Sequence, residues 1–190
     1  MSIRATLFIT SLVLFATGCG LDAPPDHDSQ EPAVVQSEDV VAQDDFTFRL
    51  VSKQAQYKQG EKVQLYGEIE YTGDQEEITI SHSSSAILFP MTEETTGYEI
   101  GYAVNDIGLS TTLKRGEPYR EQFQKSGGYS ADQDPDDYVQ FIKNFLDRDD
   151  FPAGSYVVRA FTDFSVDSKN EAAAQKRFNL EAAIRFEVVD

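Results

Sequence analysis

From Phe178 to Val188 every second residue is apolar: Phe178, Leu180, Ala182, Ile184, Phe186 and Val188. Successive side chains of a strand point to opposite faces, so this period of two makes a ribbon with one apolar side. Such a ribbon is stable only when that side is laid on another layer. The same rule runs through 61–71, where Val63, Leu65, Gly67, Ile69 and Tyr71 share one face and Gln64, Tyr66, Glu68 and Glu70 the other. Over 76–82, Ile78 and Ile80 turn inward and Thr79 and Ser81 outward, and the intervening Thr72-Gly73-Asp74 has hairpin chemistry. Further strands are predicted at 46–51, 86–90, 98–104, 118–124 and 155–164. Seven or eight short strands between turns predict an all-β fold of two packed antiparallel sheets, a β-sandwich.

One segment breaks the alternation. Tyr138, Phe141, Ile142, Phe145 and Leu146 fall on one face of a helix, predicted near 136–146 as an insertion in the sandwich. Asp134 can cap its start, Pro135 suits the first turn, and Asp136 and Asp137 meet the positive end of the dipole. Its other end is poorly matched, because Asp147, Asp149 and Asp150 crowd the negative end. The apolar face is expected to cover an open end or edge of the sandwich. The alternative is a mobile flap, since Ser126-Gly127-Gly128-Tyr129-Ser130 precedes the helix.

The N-terminal region has a different character. Arg4 precedes an apolar run from Ala5 to Phe15, which is about half of the roughly 20 residues a spanning helix requires. Ala16-Thr17-Gly18-Cys19 follows, and Cys19 is the only cysteine. A basic start, a short apolar stretch and small residues describe an export signal. These four residues resemble the lipobox of bacterial lipoproteins. That resemblance implies a signal peptide over 1–18, lipidation (palmitate included) of Cys19, and a place on the extracytoplasmic face of a membrane. Gly20 follows the cysteine, so sorting to an outer membrane stays open in a cell with two membranes. With Cys19 acylated no thiol remains for redox or nucleophilic chemistry.

Between 20 and 45 the chain carries eight acidic residues, three prolines and no Lys, Arg or aromatic residue. The composition predicts a self-repelling tether over 19–45, in which Val34-Val35 and Val40-Val41 hint at a short strand or partner motif without outweighing it, and one domain over 46–190. The whole chain has 33 Asp and Glu against 16 Lys and Arg, a net charge of −17. That balance excludes a nucleic-acid partner, because phosphate binding needs a basic surface.

Three phrases mark turns: Tyr57-Lys58-Gln59-Gly60-Glu61-Lys62-Val63, Leu113-Lys114-Arg115-Gly116-Glu117 and Phe151-Pro152-Ala153-Gly154-Ser155-Tyr156-Val157-Val158. Together they resemble extracellular immunoglobulin-like modules of Gram-positive bacteria and the BsuPI class of intracellular proteinase-inhibitor domains. The resemblance implies a sandwich over 46–190, and a proteinase inhibitor as one alternative function. It carries no inhibitory residue over.

Catalytic chemistry is sparse. His27 lies in the tether, and His82 ends a strand before Ser83-Ser84-Ser85 without a third group or a nucleophile elbow. Asp132, Asp134, Asp136 and Asp137 are hard oxygen ligands suited to a weak calcium site. They begin like an EF-hand loop, but Asp137 stands where that loop needs glycine, and helix capping explains three of them. The sequence therefore predicts a non-enzymatic, membrane-anchored module that binds an envelope protein or other ligand. Its expected surface is 126–150, with Tyr129, Tyr138 and Phe141 as contacts. No cofactor beyond a possible Ca2+ is expected.

Overall fold

The computed structural model describes residues 36–166 and 175–190. Arg4, the Ala5–Phe15 run, the Ala16–Cys19 signature and His27 lie outside the described residues. The described chain forms two packed sheets. The smaller has the order β1 (Glu38–Gln43), β2 (Phe46–Ser52), β4 (Leu65–Tyr71), β9 (Tyr119–Gln122). The larger has the order β3 (Gln56–Lys58), β12 (Glu181–Val189), β10 (Gly154–Val166), β5 (Glu77–Leu88), β8 (Leu109–Lys114). On the larger sheet β6 (Met91–Glu93) and β11 (Lys176–Phe178) pair with β10, and β7 (Tyr98–Ile100) pairs with β6. The all-β sandwich is therefore built from twelve strands among the described residues, more than seven or eight, and the β3–β12 pair is parallel.

The alternating stripes form the core. Phe178, Leu180, Ala182, Ile184, Phe186 and Val188 are all buried, as are Leu65, Gly67, Ile69 and Tyr71. At Gly67 the packing leaves no room for a side chain: a Cβ there would meet Ile87 Cδ1 of the large sheet and Phe48 Cε2 of the neighbouring strand, each at 2.9 Å. Aromatic rings fill both ends of β10. Phe46 meets Phe164 and Phe178 at 5.0 and 4.6 Å, and Phe151 meets Phe145, Tyr156 and Phe186 at 5.0, 5.1 and 5.5 Å. Edge-to-face contacts of this kind add to the burial of the rings. Gly60 and Gly116 carry φ of +88° and +74°, in turns closed by Glu61 N to Lys58 O and Glu117 N to Lys114 O. Left-handed backbone is where glycine is needed, which accounts for two of the three turn phrases. In the third, the Tyr156 hydroxyl donates to Pro152 O at 2.9 Å.

Several expectations need correction. The stretch read as tether up to residue 45 contains β1, which pairs with β2 through a tight turn where Asp44 has φ +52°. Its acidic residues are matched by cations and donors far along the chain. Glu38 holds Arg49 through two bonds, Asp39 accepts from Ala183 N and Asp44 pairs with Lys176. Thr72-Gly73-Asp74 does not close a hairpin, because β4 belongs to the small sheet and β5 to the large one, so the turn crosses between layers. Residues 86–88 continue β5 instead of starting a new strand.

The helix α1 spans Asp136–Asp147 and buries Val139, Ile142 and Phe145. Its N-cap is Pro135, with no side-chain cap. Asp134 instead accepts from Ser130 N and closes the preceding turn. Phe145 plugs into the aromatic cluster around Phe151, so the helix covers that end of the sandwich. Among the described residues no helix is long and apolar enough to cross a membrane.

Candidate functional site

A groove opens where β8 stops pairing with β5. Residues 77–82 of β5 pair with β8, which begins at Leu109 opposite His82. Beyond that point β5 has no paired strand on that side, only one main-chain bond from Ser84 N to Asn105 O at 3.0 Å, and its register with β10 shifts between Thr162 and Phe164. A buried main-chain N–H without an acceptor is costly, so the freed amides need another partner. Glu121 of β9 supplies it across the two sheets. Its carboxylate accepts from Ala86 N at 2.9 Å, Ile87 N at 3.4 Å and the Tyr119 hydroxyl at 2.8 Å, with the Ser85 hydroxyl in close contact. One side chain thus stands in for a missing strand. Burial, and then the bond to Glu121, push the Tyr119 phenol up to about 12.

The groove encloses about 550 Å³. One wall is β9 and its continuation, with Gln122, Gln124, Lys125 and Ser126. The other is the extended segment 102–105 together with Ser84 and Ser85. Side chains and the single Ser84 N to Asn105 O bond, not a strand ladder, hold that segment. Ser126 Oγ accepts from Ala103 N and donates to Ala103 O, and Ser84 Oγ accepts from Asn105 N. Behind it, Tyr102 packs on Phe89 and Phe123 at 5.5 and 6.0 Å.

Lys125 resolves the poorly matched end of α1. Its ammonium donates to the carbonyls of Phe145, Arg148 and Asp150 and lies over the Phe145 ring at 4.4 Å. The last carbonyls of a helix lack internal partners and attract a cation. Burial draws the Lys125 pKa down to about 8, against the pull of Asp150. Asp150 itself pairs with Arg148 at 2.7 Å and accepts from Gly60 N at 2.6 Å, so two of the three crowding carboxylates remain exposed.

The residues singled out in the sequence do not converge on one site. Tyr138 and Phe141 pack on Tyr98 at 5.5 and 5.1 Å, and the Tyr138 hydroxyl donates to Glu99 O. They hold the helix down more than they offer a surface. Tyr129 is 41% exposed, with Lys143 Nζ 5.2 Å from its ring. Asp132 and Asp136 point to solvent, Asp134 closes a turn, and Asp137 accepts from Tyr138 N at 2.9 Å. Among the described residues no three His, Cys, Asp or Glu side chains converge to hold a metal ion. The two ring nitrogens of His82 face Ser83 O at 2.7 Å and Thr111 Oγ1 at 2.8 Å, and among the described residues no serine hydroxyl is bonded to them. Glu121 and Lys125, the groups that shape the groove, carry no local signal in the sequence, because all their partners but Tyr119 lie 20 to 36 residues away. No family model, curated protein or solved structure matches the chain.

Proposed function

We propose that the chain is a lipid-anchored, extracytoplasmic binding module without catalytic activity, and that the groove beside β9 receives its ligand. The observation that carries this reading is the state of the groove's ionisable groups. The Glu121 carboxylate is committed to donors from β5 and Tyr119, and the Lys125 ammonium to three carbonyls. Neither is free to act as a base or nucleophile without loosening the fold. The groove offers a ligand neutral hydrogen-bonding groups instead, from Asn105, Gln122 and Gln124 among others. Anchoring rests on the Ala16–Cys19 signature and the shortness of the Ala5–Phe15 run. The proteinase-inhibitor and calcium readings rest on turn phrases and on the spacing of Asp132–Asp137, and the geometry adds support to neither.

One experiment tests both halves. Full-length chain, Cys19→Ala and Ala103→Trp are compared for membrane fractionation and for capture of envelope components. Cys19→Ala should leave the membrane fraction, while Ala103→Trp stays there, folded, and loses its captured ligand. Firm membrane retention of Cys19→Ala would sink the anchor, and undiminished capture by Ala103→Trp would sink the groove.

A further inference from the structure

β9 is the outermost strand of the small sheet. In an antiparallel pair, residues alternate between those that exchange hydrogen bonds with the partner and those whose N–H and C=O point the other way. Phe123 N donates to Leu65 O at 2.9 Å. The register Gly67↔Glu121 and Ile69↔Tyr119 places those pairs in the same bonded phase. Arg120 and Gln122 fall in the opposite phase, so their main-chain groups point away from β4. Outside the sheet ladders no hydrogen bond to the Gln122 N–H is found among the described residues. That edge borders the groove, which Gln122 lines.

We infer that an extended, basic peptide segment of a protein partner adds to β9 as a fifth strand of the small sheet, lying in the groove against 102–105. The unspent groups are main-chain donors and acceptors two residues apart, the repeat that another strand presents. Edges of this kind are templates for strand addition, with main-chain bonds giving affinity and neighbouring pockets receiving alternate side chains. The charge of the segment follows from the net charge of −17, which attracts Lys- and Arg-bearing partners and repels acidic ones. This inference rests on the groove reading above and names the ligand of that groove.

The test begins with short random peptides, displayed as a library and selected on the full-length chain. Basic sequences should be enriched. Methylating every second backbone nitrogen of an enriched peptide should weaken binding about tenfold or more in one phase and hardly at all in the other. Gln122→Pro removes the outward donor while sparing the ladder to β4, and should cause a similar loss. Thr112→Pro makes the equivalent change on the free edge of β8, where Thr112 alternates with the bonded position fixed by Arg115 N to Glu76 O. It should leave binding intact. No enrichment, equal losses in both methylation phases, or undiminished binding to Gln122→Pro would overturn strand addition. If Gln122→Pro does not fold, the methylation phases decide alone. Loss of envelope ligand in Ala103→Trp, with no effect of Gln122→Pro or methylation, would refute strand addition and leave the groove standing.

Discussion

At the scale of single residues, two long-range polar side chains organise the molecule. Glu121 ties the small sheet to the part of β5 that β8 does not cover, and Lys125 ties the chain before α1 to the end of that helix. Each satisfies several partners, so removing either strands more than one buried group. Glu121→Gln brings an amide NH2 to face main-chain N–H and hydroxyl donors. It should lower stability by about 1–3 kcal/mol, read as a drop in the urea midpoint. A midpoint equal to that of the parent would mean that water replaces the carboxylate and that the two sheets do not depend on it. Neither residue could be found by reading along the chain. A glutamate in a strand and a lysine before Gly-Gly look like surface residues until the fold brings their partners within 3 Å.

At the scale of elements, the long periodic strands were the legible part. The stripes at 61–71 and 178–188 each assign a face, and those faces are buried. A stripe names a face but not a neighbour, which is why Thr72-Gly73-Asp74 reads as a hairpin and is a crossing between layers. The helix was legible for the same reason as the strands: its i, i+3, i+4 pattern is strong, although Val139 takes the buried place and Leu146 is left 36% exposed. β1 was hidden because acidic composition argues against burial, whereas its carboxylates find Arg49, Lys176 and Ala183 N on other strands. Its contribution can be measured. A chain starting at Phe46 should be several degrees less thermostable and more prone to associate, since the edge of β2 is uncovered. Melting and light scattering identical to those of a chain starting at Gln36 would place β1 outside the cooperative unit.

At the scale of the whole molecule, the domain holds buried carboxylates whose charge is part of its stability. Burial would raise the Glu93 carboxyl, but hydrogen bonds from Thr96 and Thr95 outweigh it and hold it below the usual range. The Arg148 guanidinium does the same for Asp150, against burial and with help from Gly60 N. At Glu68, burial is outweighed by Arg120 and Arg49. A carboxyl with a depressed folded pKa binds fewer protons folded than unfolded, so its contribution is present above the unfolded value and is lost as pH falls through the folded one. Stability should hold to about pH 5 and decline steadily below about pH 4. Urea midpoints between those values and about pH 2 should fall less steeply in Asp150→Asn. An unchanged slope in that variant would show that Asp150 does not share in the acid response.

The entry of the chain into the sandwich has a mechanical meaning. Gln36 O accepts from Arg185 N of the large sheet, Ser37 O accepts from Ser52 N of the small sheet, and Asp39 accepts from Ala183 N. Tension arriving at Gln36 therefore divides between both layers within four residues. Several bonds must yield together before β1 can peel, so a pull from the N-terminal side is carried by the body of the domain and not by one strand alone.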